Sequence, residues 1–250
     1  MDLIDILVPG GTAEAYVARP PATPDIGALP GVLLFMDAIG LRPQIAAMCD
    51  RIASWGHVVL APHVFHRDGT VADLAPTGDL TDPAEREAFF KVAMPRVGAL
   101  TSDLALADIA AYVDTLRGLD GVGTGPIGVT GYCMGARLAI RAAGAHPDVV
   151  AACGGFHGGG LVTDEVDSPH LALADARAEL VLGHADHDSS MPPEAVVALG
   201  EAIAAAGLHA SNEVYPGAAH GYTMADTAMW DEAAAERHYV ELDGLFARTL

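Results

Sequence analysis

Apolar and polar positions follow two regimes along this chain. In LIDILVP (3–9) and TAEAYVARP (12–20) apolar residues are interrupted by single polar ones, which predicts two opening strands with the PGG stretch as the turn between them. GVLLFMD (31–37), HVVLAP (57–62), PIGVTGY (126–132), VVAACGGF (149–156) and the end of RAELVLGHAD (177–186) are instead unbroken apolar runs, as strands covered on both faces require. HASNEVYPG (209–217) is the last strand. Between these runs lie patterns of helical period: PQIAAMCDRIASWG (43–56) with Gly56 as its stop, residues 83–118 with a break at Pro95, CMGARLAIRAAGAH (133–146), PPEAVVALGEAIAAAG (192–207) opening on proline, and the closing AMWDEAAAERHYVELDGLFARTL (228–250). Residues 20–30 and 62–82, rich in Pro, Asp, Gly and Thr, are expected loops. Two strands followed by repeated strand–helix units predict one α/β domain over residues 1–250, a mostly parallel sheet of about eight strands flanked by helices on both faces. In such sheets ligands bind beyond the carboxyl ends of the strands.

Composition narrows the function classes. With 51% hydrophobic and 18% charged residues the chain is a folding one, and its 250 residues suffice for a sizeable core. The net charge of −20 argues against nucleic acid and anionic membranes as partners, since both need basic patches. It also repels an anionic substrate unless a local Arg or Lys reverses the field. The opening MDLIDILVPGG lacks the basic and apolar regions of a signal peptide, and no apolar run is long enough to span a membrane. Cys49, Cys133 and Cys153 are too few and scattered for a disulfide framework, so a reducing cytoplasm is the expected location.

Three strand ends carry reactive side chains. Cys133 follows PIGVTGY and opens a helix, in the G-x-C-x-G spacing of a nucleophile elbow with Cys in place of Ser. The flanking Gly131 and Gly135 fit a turn too tight for side chains, and the partial positive charge of a helix N-terminus favours a thiolate. The bland alternative is a small buried hydrophobe. Asp186 ends LVLGHAD, with Asp188 two residues on; an acid there can orient an imidazole, or the HADHD stretch is a polar loop with a helix cap. His220 lies in the loop after the last strand, 34 residues beyond Asp186, which is itself 53 beyond Cys133, so one strand–helix unit separates each pair. Backbone N–H groups of Met134 and Ala38 are the candidate oxyanion donors, and Asp37, ending GVLLFMD, is either an accessory to the thiol or a turn-forming acid. Tyr222 and Met224, close to the histidine, are candidate pocket residues.

These segments together resemble the dienelactone hydrolase family of α/β-hydrolases. GYCMGARLA is similar to its cysteine elbow, GHADHDSSMPPE to its acid loop and PGAAHGY to its histidine loop; LLFMDAIGL and GHVVLAPHVF also match, and the likeness covers essentially the whole chain. The resemblance implies hydrolysis of small esters or lactones of the carboxymethylenebutenolide type. Cys133 would attack the carbonyl, His220 act as acid and base, and Asp186 orient it, with no metal or organic cofactor. Two departures stand out. The family has Glu where this chain has Asp37, and there it is thought to hold the resting thiol. Its dienelactone-specific members have Arg four residues after the histidine, where this chain has Met224; Arg86 and Arg96, in the helical stretch 83–118, are the candidate substitutes.

Rival classes are weaker on the same residues. His63, His66, His184, Asp186, His187 and Asp188 are metal-ligand types, but H-E-x-x-H and C-x-x-C are absent. GVGTGPIG precedes its strand, so the dinucleotide fingerprint fails. A redox-sensing thiol or a catalytically idle hydrolase fold used for binding is the alternative function, although a sensor needs neither His220 nor an acid. Trp55 and Trp230 read as core or lip residues. The expected assembly is a monomer or small homo-oligomer, and the expected partner a small-molecule ester or lactone.

Overall fold

A computed structural model describes residues 2–21 and 27–250; residues 22–26 of the loop expected over 20–30 lie outside them. Eight strands form a single sheet in the order β1-β2-β4-β3-β5-β6-β7-β8. The strands are β1 (Asp2–Val8), β2 (Gly11–Ala18), β3 (Gly31–Phe35), β4 (Val58–Pro62), β5 (Ile127–Tyr132), β6 (Val150–Phe156), β7 (Glu179–Ala185) and β8 (Ala210–Tyr215). The β1–β2 and β2–β4 pairs are antiparallel and the rest parallel. β3, β4 and β5 are buried at every residue, which is why their sequences are continuous apolar runs. β1 and β8, at the two edges, keep polar and exposed residues that the central strands lack.

The helices are α1 (Pro43–Ala53), α2 (Val71–Leu74), α3 (Pro83–Ala99), α4 (Ser102–Gly118), α5 (Met134–Ala145), α6 (Pro193–Ala205) and α7 (Glu232–Thr249). Three boundaries differ from the expectation. The helical stretch after Pro83 does not break at Pro95, which sits inside α3; it breaks at Leu100, where Thr101 begins a new helix by accepting from the Leu104 N–H. A proline forfeits one backbone bond in a long helix, whereas a threonine cap offers the chain a fresh start. The loop over 62–82 contains α2, a single turn closed by a capping box between Thr70 and Asp73. The closing helix begins at Glu232, after an Asp231 cap, rather than at Ala228. A short 3-10 turn, Pro169–Ala174, is additional.

The chain runs from β3 outward to β4, then returns to place β5 on the other side of β3. Sequence order thus reverses between β3 and β5, which opens a crevice at their carboxyl ends. Phe35 pairs with Gly131 there, so Asp37 and Ala38 emerge beside Cys133.

Candidate active site

Cys133 joins β5 to α5 with φ 55° and ψ −119°, a backbone conformation rare for a side-chain-bearing residue and costing about 1–3 kcal/mol. The neighbouring glycines make this turn possible. A Cβ on Gly131 would stand 2.0 Å from the Gly135 carbonyl oxygen, and a Cβ on Gly135 2.4 Å from that of Phe35. The elbow is therefore pressed against its own helix on one side and the end of β3 on the other. Cys133 is partly exposed, whereas Cys49 and Cys153 are buried. Burial pushes the Cys153 thiol up to about 12 and raises Cys49 also, so both are held as inert thiols.

His220 reaches the elbow from the loop after β8. Its Nε2 lies 3.0 Å from Cys133 Sγ. Its Nδ1 lies 2.6 Å from Oδ2 of Asp188, and because a carboxylate only accepts, Nδ1 carries the hydrogen and Nε2 faces the sulfur. The aspartate in contact with the ring is thus Asp188 and not Asp186, which differs from the expected pairing. His187, with φ 52°, reverses the chain between the two aspartates and turns Asp188 inward. Asp188 is 5% exposed in its side chain against 29% for Asp186. Asp186 instead accepts from the Gly217 N–H at 2.8 Å and so anchors the loop that carries His220. Burial opposes the charge of Asp188, but hydrogen bonds from His220 and Ser190 outweigh it and hold its carboxyl down to about 2. Burial likewise opposes a charged His220 ring, but the hydrogen bonds to Asp188 and Cys133, with their charges, push it up to about 10.

His157, Thr223, Ser190, Arg42 and Asp226 complete the surroundings, and none of them is a candidate singled out from the sequence. His157, at the end of β6, is fully buried with φ 38° and lies edge-on to His220 with ring centres 5.3 Å apart. Burial, and then the neighbouring His220, push its pKa well below the ordinary value, so it is neutral. Its Nε2 is 2.7 Å from Thr223 Oγ1. Ser190 donates from its N–H and hydroxyl to Asp188 Oδ1. Arg42, at the start of α1, is 4% exposed and donates to both oxygens of Asp37 at 2.7 and 3.0 Å. It also donates to Asp226 at 2.6 Å and touches Met224 Sδ at 3.2 Å. Burial opposes its charge, yet Asp37 and Asp226 hold it above the ordinary arginine value. Removing one member of such a buried pair costs about 3–5 kcal/mol.

These groups face a narrow cleft lined by Asp37, Ala38, Cys133, His157, His220 and Met224, with Arg86 and Phe90 from α3 and Met229. Met134 opens α5, so its N–H is among the free donors of a helix N-terminus at the thiol. Tyr222 does not line the cleft: it is fully buried, and its hydroxyl donates to the Gly183 carbonyl at 3.1 Å. Arg86 makes no ion pair among the described residues, and its guanidinium lies over the Phe90 ring. Outside the cleft, a wider hollow shares Arg86, Phe90 and Met229 with it and adds Lys91 and Met94. Arg96 lines a separate hollow around Asp68 and Glu85 and does not reach the thiol. The histidines weighed as metal ligands disperse: His63 contacts the Gly69 carbonyl and His184 the Asn212 side chain, and no group of three ligand-type residues gathers among the described residues. No helix among them is long and apolar enough to cross a membrane.

Comparison with known proteins shows the family and the fold. The model of the dienelactone hydrolase family matches residues 13–250. A carboxymethylenebutenolidase of Rhodococcus opacus is 30% identical over 218 residues, covering 87% of this chain and 79% of its own. A Salmonella typhi protein provisionally given that name is 28% identical over 243 residues, 96% of this chain and 84% of its own. Among solved structures, a provisionally named dienelactone hydrolase from Klebsiella pneumoniae superposes with a TM-score of 0.81 at 24% identity, over 99% of this chain and 98% of that one. The eight-stranded architecture is thus that of the α/β-hydrolases.

Proposed function

Because this chain belongs to the dienelactone hydrolase family and is a hydrolase of carboxylic esters or lactones, we propose that it works through Cys133, His220 and Asp188 and a thioester intermediate. The observation that carries this reading is the unbroken contact from sulfur through the imidazole to the carboxylate, 3.0 Å and then 2.6 Å. His220 Nε2 takes the thiol proton as the sulfur electron pair forms a bond to the carbonyl carbon. The C=O pair moves onto oxygen, where the N–H groups of Met134 and Ala38 receive the charge. As the C–O bond to the leaving alkoxide breaks, His220 returns the proton to it. Water then attacks the thioester, giving its proton to His220, and the C–S bond breaks to release the acid and restore the thiol. Asp188 keeps Nδ1 protonated throughout and stabilises the charged ring, with Ser190 holding it in place.

The preferred substrate is a small ester or lactone, of the carboxymethylenebutenolide type, with a carboxylate near the reacting carbonyl. Arg86 supports this, as a cation on the cleft wall without an acidic partner among the described residues. It answers the absence of a cation at Met224, in a chain whose net charge of −20 otherwise repels anions.

The test is steady-state hydrolysis of p-nitrophenyl acetate and of a dienelactone, with and without stoichiometric iodoacetamide. Activity should fall in step with alkylation of Cys133, and Cys133→Ala should lose at least about a thousandfold in turnover while keeping its fold. Near-normal turnover by that variant would sink the mechanism. Turnover of the ester but not the lactone would remove the carboxylate preference and leave an esterase.

A further inference from the structure

We propose that the hollow beside the cleft is a second compartment of the substrate site, and that it takes the far end of an elongated acyl group, an apolar chain ending in a carboxylate. The inference deepens the reading above and rests on Cys133 being the nucleophile. The cleft at the thiol has free space of about 20 Å³, room for about one water. Small-molecule sites usually offer roughly 300–1,000 Å³. A substrate at the thiol must therefore displace part of the cleft wall. The hollow has about 670 Å³, and Arg86, Phe90 and Met229 line both spaces. Displacing that common wall joins the cleft to the hollow.

The two sides of the wall differ in how firmly they are held. Met229 sits on a turn fixed by Thr227, whose hydroxyl donates to the Met224 carbonyl at 3.0 Å and accepts from the Met229 N–H at 3.2 Å. Arg86 and Phe90 ride on α3, of whose 17 residues only Ala93 and Val97 are buried. Its other flank is open as well, where Phe89, Val92 and Arg96 line the separate hollow, of about 530 Å³. A helix with so few buried apolar contacts yields at low cost, so α3 is the side that gives way.

The chemistry of the hollow selects its occupant. Arg86, Phe90 and Met94 lie four residues apart and form a row along α3 of about 12 Å, long enough for a medium acyl chain. Phe90 with the flexible Met94 and Met229 gives that chain an adaptable apolar bed. Lys91 is exposed and makes no ion pair among the described residues, and Arg86 Nε is buried without a hydrogen-bond partner among them. Glu87 is the one carboxylate lining the hollow among the described residues, so two cations face one anion. In a chain of net charge −20, that local excess of positive charge favours an anionic end. Arg86, in the common wall, suits a carboxylate close to the reacting carbonyl, and Lys91 one at the far end of the chain.

The experiment is the rate at which Cys133 adds N-ethylmaleimide, N-hexylmaleimide and maleimidohexanoate, followed by mass, alongside kcat/KM for p-nitrophenyl acetate, octanoate and monosuberate. N-hexylmaleimide should react at least about tenfold faster than N-ethylmaleimide. Maleimidohexanoate should react about threefold faster again at low salt, a step that about 0.5 M salt largely removes. The esters should rank in the same order, monosuberate above octanoate above acetate. Lys91→Met should abolish the preference for the carboxylate and Lys91→Glu reverse it, while Met94→Asp should cut the hexyl-over-ethyl ratio at least about threefold. Both positions are exposed on α3, so these variants keep the fold. Maleimidohexanoate no faster than N-hexylmaleimide, or N-hexylmaleimide no faster than N-ethylmaleimide, would overturn the proposal, as would preferences that the variants leave unchanged. Turnover of the acetate ester without either preference would remove the compartment and leave the hydrolase reading intact. Both preferences with no turnover of any ester would do the reverse, because maleimide addition needs no catalysis.

Discussion

The chain turns in the left-handed region after β5 and again after β7, and the two turns work in opposite ways. At the first, the strained residue is Cys133 itself, held by glycines on both sides at positions 131 and 135. At the second, the strained residue is His187, which is exposed and has its Nε2 3.7 Å from Asp186; its work is to turn Asp188 inward. One turn presents its own side chain and the other presents its neighbour's. Strand-end position alone therefore identifies a loop that carries chemistry, but not which of its residues faces the site.

The largest effect that would break this comparison is at the first turn. Gly131→Ala sets a Cβ against the backbone of Gly135, which cannot yield, so the variant should lose activity and about 1–3 kcal/mol in chemical denaturation. A stable, active variant would mean that the elbow is looser than the structure has it. At the second turn, Asp188→Asn should lower kcat by about a thousandfold or more, because the amide no longer enforces the Nδ1–H tautomer. Asp186→Asn should cost less than about tenfold. The reverse ranking would return the catalytic role to Asp186.

Smaller effects sharpen the contrast. His187→Gly keeps the left-handed turn and should keep activity, whereas His187→Ile places a β-branched residue at φ 52° and should lose about 1–2 kcal/mol and misplace Asp188. Equal activity in the two variants would remove the hinge role. The smallest signal is in acid. The Asp188 carboxyl is lowered from 3.8 to about 2, so its ionised form adds stability that is fully present above pH 3.8 and lost as pH falls toward 2. The stability difference between wild type and Asp188→Asn, from denaturant midpoints, should shrink across that window; a constant difference would contradict the native-state pairing.

How far the sequence was legible follows from what each feature rests on. The central strands were readable because burial on both faces demands unbroken apolar runs, as in GVLLF and VVLAP. The α3–α4 break was misread because Pro95 is a strong local breaker, while the cap that matters is a single threonine hydroxyl at Thr101. The elbow was marked by the steric need for two glycines. The acid loop bore no such mark, since a histidine at positive φ leaves no signature in HADHD. Arg42 was invisible for another reason: its partners Asp37 and Asp226 come together only when the loops after β3 and β8 meet. His157 carried one faint sign, a histidine between a strand end and glycines in GGFHGG.

The hollow beside the cleft has a practical consequence. Lys91, which lines it, is the single lysine in the sequence. Amine-directed coupling to a resin or a dye will therefore find, apart from the chain's own amino group, one anchoring point, and that point lines the hollow that shares Arg86, Phe90 and Met229 with the cleft. A preparation immobilised in this way should be crowded beside the cleft while remaining correctly folded, and attachment through an introduced tag is the way to keep that hollow clear.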